Sequence, residues 1–200
     1  MRQRSAASWM LLLLCWIVTP TQAEPAQYAI DPEHCSIGFR VHHMGYERVL
    51  GLFRKAQGSY TFDEATGQLS NVSVVVDAAS VTTGHDKRDA HLRGGDFLDT
   101  SHYPQMVFTA SATRPAAAHD FVIEGELQLL GTKRPLTLQA TLNKIGTYPI
   151  GPALGKKPYV MGVSAQGRVK RSEFGMKYAV DNGWVGDEVE LLLEFEARRQ

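Results

Sequence analysis

The stretch 121–142, "FVIEGELQLLGTKRPLTLQATL", alternates apolar and polar residues with period two on both sides of a short Gly-containing turn. Phe121, Ile123, Leu127 and Leu129 fall on one face, with Glu124, Glu126 and Gln128 on the other. After the turn Leu136, Leu138 and Leu142 oppose Thr137, Gln139 and Thr141. Period two is the strand signature, and two such runs joined by "GTKRP" predict an antiparallel hairpin.

Working outward, the same pattern recurs. "SIGFRV" (36–41), "GSYTF" (58–62), "VSVVVD" (72–77) and "VELLLEFEA" (189–197) alternate in the same way. "MVFTASAT" (106–113) and "YVMGVSAQGRVK" (159–170) bring the count to about eight strands. A second tight turn, "DEATGQ", separates Phe62 from Leu69. Consecutive antiparallel strands form a meander, and a meander of about eight closes most simply into a barrel, which removes exposed edges. A sandwich is the alternative. Two segments interrupt the pattern. "TGHDKRDAHLRGG" predicts a short helix, Thr83–Arg93, with Thr83 as N-cap and Gly94-Gly95 as its stop. "IGTYPIGPALGKKPY", Ile145–Tyr159, predicts a long loop of the kind that forms a lid or rim.

The first residues are expected to lie outside the fold. Arg2 and Arg4 precede an apolar run, Trp9–Val18, too short to span a bilayer, and "TPTQA" suits cleavage after Ala23. Residues 1–23 therefore predict a signal peptide and 24–200 a single domain. Charge is balanced, 21 basic against 21 acidic residues without a basic block, so nucleic acid is not an expected partner. Only Cys35 follows the expected cleavage point, which leaves no intramolecular disulfide and suggests a small buried residue.

The polar stretch Thr82–Pro104 holds three histidines and four aspartates. On a helix His85, Arg88, Asp89 and Leu92 share a face, whereas His91 points elsewhere, so the two-histidine spacing of a zinc-binding helix is not met. Metal binding would need His34, His42, His43 or His102, and no metal site is expected. No G-x-S-x-G motif is present. From the residues alone, a filled barrel and a barrel holding one small ligand remain equally open.

The motifs "YAIDPEHCSIGFRVHHMGY", "LGLFRKAQGSYTFDE", "DAASVTTGHDKRDAHLRGGDFLDTSHYPQMVFTA", "GELQLLGTKRPLTLQATL" and "RSEFGMKY" occur in order across the chain from Tyr28 onward. Together they resemble the YceI-like family of lipocalin-like exported proteins that bind polyisoprenoids and related lipids. The resemblance implies an all-β, eight-stranded antiparallel barrel with an apolar tunnel, a periplasmic location and no catalytic machinery or cofactor. It also implies a b561-type membrane cytochrome as a partner, and it leaves a homodimer open. Under it the expected tunnel wall is Phe39, Val41, Tyr60, Phe62, Val74, Val76, Phe97, Phe108, Leu127, Leu129, Leu138 and Phe174. The expected polar rim is His85, Arg88 and Asp89. The expected ligand is a long-chain isoprenoid, an isoprenoid quinone or another lipid. Two rival readings stand beside this one: an enzyme using His85 as base and Asp89 as its orienter, and a structural barrel with a solid core.

Overall fold

The computed structural model describes residues 24–115, 119–151 and 155–200; the expected signal peptide, 1–23, lies outside them. Ten strands alternate inward and outward side chains. They are β1 (Ala26–His43), β2 (Glu47–Phe53), β3 (Ala56–Asp63), β4 (Gln68–Asp77), β5 (Val81–Thr82), β6 (Gln105–Pro115), β7 (Asp120–Leu129), β8 (Thr132–Thr147), β9 (Tyr159–Lys170) and β10 (Val185–Arg199). A helix, α1 (Asp86–Arg93), follows β5, and a 3₁₀ turn at Arg171–Phe174 follows β9.

All neighbouring strands run antiparallel, and β1 also pairs with β10, placing Phe39 opposite Leu191. That pairing closes the sheet. β3 and β2 both lie along the same side of β1, Tyr28 facing Tyr60 and Val41 facing Val49, so they act as one strand broken at Arg54-Lys55. β5 likewise extends β4 along β2. The ten segments therefore make eight staves, in the order β1, β3, β4, β6, β7, β8, β9, β10 and back to β1.

The turns follow local chemistry. Leu130 and Gly131 both have positive φ, 50° and 71°, the mirror-image turn that suits the twist of a two-residue hairpin. In the β3–β4 turn the Asp63 carboxylate accepts from the Ala65 amide at 2.9 Å and the Thr66 hydroxyl at 2.8 Å.

Three local expectations need correction. The helix begins at Asp86, and its cap is His85, whose Nδ1 accepts from the Arg88 amide. Thr83 lies two residues before that cap, and its hydroxyl is used otherwise, donating to Asp89 Oδ1 at 2.5 Å and accepting from Arg88 Nε. Residues Ile145–Thr147, expected in a loop, continue β8 and pair with Met161–Tyr159 of β9. β2 is an additional strand in a segment that the sequence reading left unassigned.

On β7 and β8 apolar side chains point inward and charged ones outward, the reverse of a membrane barrel. On β7, Phe121, Ile123 and Leu129 are buried while Glu124 and Glu126 are exposed. The interior forms two clusters, one around Tyr28, Tyr60, Phe62 and Phe121 and one around Phe39, Phe53, Phe97 and Leu129.

Four inward-facing positions carry glycine: Gly51, Gly58, Gly125 and Gly167. Each is covered by a neighbour's side chain. A Cβ on Gly51 would meet Phe39 Cζ at 2.2 Å, and one on Gly125 would meet Phe108 Cζ and the Thr109 carbonyl at 2.5 Å. With no side chain beneath them, Phe39 and Phe108 lie back against the wall instead of projecting across the interior.

Because the Thr109 carbonyl cannot swing away, Gly125→Ala is expected to lower the unfolding free energy by about 1–3 kcal/mol, as overpacking does. Urea denaturation measures this, and an unchanged midpoint would show that Phe108 does not depend on the missing Cβ.

Candidate functional site

The space left by this arrangement is a lumen of about 420 Å³ whose wall is apolar almost throughout. Along β10 the lining runs from Val185 to Phe195, which at strand rise and barrel tilt corresponds to roughly 25 Å of depth. The volume falls in the ordinary range of ligand sites, so the interior is not a solid core.

The inner end is closed. Tyr28 and Tyr60 stack with ring centroids 5.6 Å apart, and Phe62 meets Phe121 edge-on at 6.1 Å. The Tyr28 and Tyr159 hydroxyls donate to Glu64 at 3.1 and 2.8 Å, and Arg199 approaches the same carboxylate at 3.4 Å. Burial raises the Tyr28 pKa, and the Glu64 charge adds to it, so both phenols serve as donors to Glu64.

The other end is open. Met44, Tyr178 and Trp184 line the lumen and are also exposed, and with them stand Arg88, His91, His43 and Arg171. Apart from Tyr60, the polar lining residues all belong to this mouth.

Arg171 organises the mouth from beneath. It is 2 % exposed. It donates from Nε to the Gly186 carbonyl (2.8 Å), from Nη1 to Met176 (3.1 Å) and from Nη2 to Tyr178 (2.9 Å) and Val185 (2.8 Å). A rigid fork of donors suits this capture of several carbonyls. Its guanidinium also lies 5.8 Å from the Phe97 ring centre. Burial pulls its pKa below the ordinary value, and the Asp187 charge opposes that pull. The segment 176–186 is thereby fixed to the end of the barrel.

The helix is held by a second network. Asp89 is 5 % exposed and accepts from the Thr82 hydroxyl (3.0 Å), the Thr83 amide (2.7 Å) and the Thr83 hydroxyl. Arg93 donates to the carbonyls of Ala79 (2.9 Å) and Val81 (3.0 Å). These ties turn the Asp89–Arg93 side of α1 toward residues 79–83, which leaves Arg88, His91 and Leu92 to face the lumen. Arg88 is in turn positioned by Thr83, donating to its hydroxyl at 2.7 Å and its carbonyl at 3.0 Å. Burial would push the Asp89 pKa up, but the Thr83 and Thr82 hydrogen bonds and the Arg93 charge outweigh it and hold the carboxyl below the usual range.

Eleven of the twelve residues expected in the wall line the lumen. The other, Phe174, is buried in the 3₁₀ turn after β9, packed in the mouth-end cluster but outside the wall. Of the expected rim, Arg88 lines the mouth, while Asp89 acts through Thr83 and His85 caps the helix. His91, expected to point away, does line it, packing edge-on to Phe97 at 4.9 Å and bonding Asp96 at 2.9 Å. His43, Met44, Arg171, Tyr178 and Trp184 were not legible as site residues. They come from separate segments, and only folding brings them together. His85 and Asp89 are each turned to backbone or threonine partners, not to one another as a base and its orienter would be.

Among the described residues one cluster, Asp31, His34 and Glu196, groups metal-ligand side chains within 4.8 Å. Arg198 Nη2 sits 2.6 Å from Asp31 Oδ2 and already supplies a cation there. The hydrogen bond that the His34 ring donates to Asp31 raises the His34 pKa, which favours an ion pair at that site. Cys35 is half-buried, and burial pushes its thiol pKa up, away from the reactive thiolate.

A closed, eight-stranded up-and-down barrel with an apolar lumen open at one end defines the class of lipocalin-like binding barrels. The chain belongs to the YceI-like family: the family model for the YceI-like domain matches residues 28–197. It is 38% identical to protein YceI of Escherichia coli over 180 residues, 89% of this chain and 90% of that protein. The crystal structure of the Campylobacter jejuni YceI protein superposes with a TM-score of 0.70 at 26% identity, covering 80% of this chain and 90% of that one. A polyisoprenoid-binding domain from Saccharophagus degradans shares the fold at 15% identity, with a TM-score of 0.62 over 88% of this chain and 100% of that one.

Asp89 yields a pH-dependent expectation. Its folded pKa is depressed, so its ionised form stabilises the fold above the unfolded value near 3.9, and that contribution fades as pH falls from there toward the folded value. Asp89→Asn is therefore expected to cost about 1–3 kcal/mol at pH 7, with a smaller difference from the parent near pH 3. Thermal unfolding at the two pH values measures it. An equal deficit at both would show that the carboxylate charge contributes nothing.

Proposed function

We propose that the protein is a periplasmic carrier or sequestering protein for a long apolar chain, such as a polyprenyl lipid or an isoprenoid quinone. The observation that carries this reading is the polarity of the lumen: apolar from floor to mouth, with Arg88, His91, His43 and Arg171 gathered at the open end. A molecule with a polar head and a long apolar tail matches that distribution, tail inward. The polyisoprenoid-binding description of the Saccharophagus degradans domain that shares this fold supports the ligand class. The basic start and short apolar run of residues 1–23 support export.

Burial drives such binding at about 0.8 kcal/mol per methylene removed from water. Ordering a flexible chain returns part of that gain. Arg88, His91 and His43 contribute orientation more than affinity, because they are partly exposed to water.

A homologous series of straight-chain alcohols tests the reading. Each added methylene is expected to strengthen binding up to roughly fourfold, until the chain fills the lumen and the gain stops. Isothermal titration or displacement of a fluorescent fatty probe measures the series. Affinity independent of chain length, or no binding at any length, would contradict a tunnel for chains.

A further inference from the structure

The open end is more apolar on its outside than entry to a lumen requires. Met44 is 45 % exposed, Tyr178 44 %, Trp184 53 % and Tyr46 91 %, all large side chains. Met44 and Tyr46 share the β1–β2 turn, and a backbone bond ties that turn to the segment carrying Trp184. The Met44 amide donates to the Trp184 carbonyl at 2.8 Å, joining the β1–β2 turn to the segment before β10. Tyr178 packs edge-on against Phe97 and His91, with centroids 5.3 and 5.2 Å away. Arg171 holds the carbonyls of Tyr178 and Val185 on either side of that segment. The backbone that carries the patch is therefore anchored to the barrel.

From this geometry we infer that the rim is a docking surface for a lipid bilayer, seating the lumen mouth on the membrane interface. The inference rests on the lumen being a site for lipid chains. Three observations select a bilayer as the partner. Met44, Tyr178 and Trp184 belong both to the lining of the lumen and to the exposed rim, so a chain crossing between membrane and lumen stays out of water only if these residues touch the membrane. Tyrosine and tryptophan, apolar with one polar tip, are the side chains that favour the level of the head groups. The charges around the mouth are mixed, Glu47 and Asp181 against Arg48, Arg88 and Lys177, so attraction to the surface is mainly apolar. Apart from Leu50 and Leu52 on β2, the outward faces of the strands carry mostly polar side chains, so most of the barrel stays in water.

The test uses the only tryptophan beyond residue 23, Trp184; the other two, Trp9 and Trp16, lie outside the described residues. Every described strand of the closed barrel lies between Ala26 and Arg199, so the chain from Glu24 onward carries the barrel. Mixed with phosphatidylcholine vesicles, this protein is expected to shift its tryptophan emission to the blue and to be quenched by brominated acyl chains. A quarter of phosphatidylglycerol, or a tenfold rise in salt, should change the binding by less than about threefold, because the attraction is mainly apolar. Tyr46→Ser removes an exposed ring outside the lumen and is expected to weaken vesicle binding about fivefold or more, with circular dichroism and alcohol uptake unchanged.

Four results would overturn the inference. They are absence of binding to either vesicle, binding only to the anionic vesicles that salt abolishes, undiminished binding of Tyr46→Ser, and a blue shift that tracks self-association without vesicles. Alcohol uptake measured on the same preparation separates the two readings. Uptake without vesicle binding removes the docking surface alone, and vesicle binding without uptake removes the lumen as a chain site.

Discussion

The pairing of the first strand with the last is the constraint on which the rest of the molecule depends. β1 and β10 meet along most of their length, from Tyr28 opposite Arg199 to His43 opposite Val185. Without that seam the sheet has two open edges and its apolar face has nothing to enclose. With it, that face becomes a lumen, and the β1–β2 turn and the segment before β10 become neighbours at one end. The Met44–Trp184 backbone bond and the four carbonyls on Arg171 then fix the mouth. The floor is closed by the same seam, because Glu64, Tyr28 and Arg199 come from a turn, the first strand and the last.

Closure alone does not decide between a packed core and a tunnel. The glycines at inward positions supply the second half of the answer. Where Gly51 and Gly125 sit, Phe39 and Phe108 lie flat on the wall, and the centre stays open. An unfilled apolar lumen forfeits dispersion contacts that a packed core would make. A chain that entered would restore them, and would stabilise the fold by mass action as it did so. Binding of such a chain would thus be coupled to fold stability through the same side chains, while the Asp89–Thr83–Arg88 network holds the rim.

The strands were legible where the two faces differ in polarity, as in β7 and β8. β2 was not, because Leu50 and Leu52 point outward and blur the alternation that Val49, Gly51 and Phe53 set up on the inner face. The end of β8 was obscured by the glycines and prolines just beyond it. Wall residues could be read from strand parity, which is why most of them fall on the lumen; Phe174 does not, since the chain leaves the barrel in a 3₁₀ turn there. The rim was largely hidden. Periodicity gives the faces of α1 but not its rotation about its axis, which is set by Asp89 and Arg93 bonding to residues 79–83. Met44, Arg171 and Trp184 carry no local signal at all, as each acquires its role from a partner far away in sequence.

The central claim is that the lumen holds a long apolar chain in the cell. Native mass spectrometry of the protein recovered from the envelope of cells producing it, followed by organic extraction and lipid analysis, addresses this most directly. The account predicts a stoichiometric adduct that extracts as a long-chain isoprenoid lipid or quinone. A clean apo mass, unchanged after incubation with polyprenyl lipids and quinones, would contradict it.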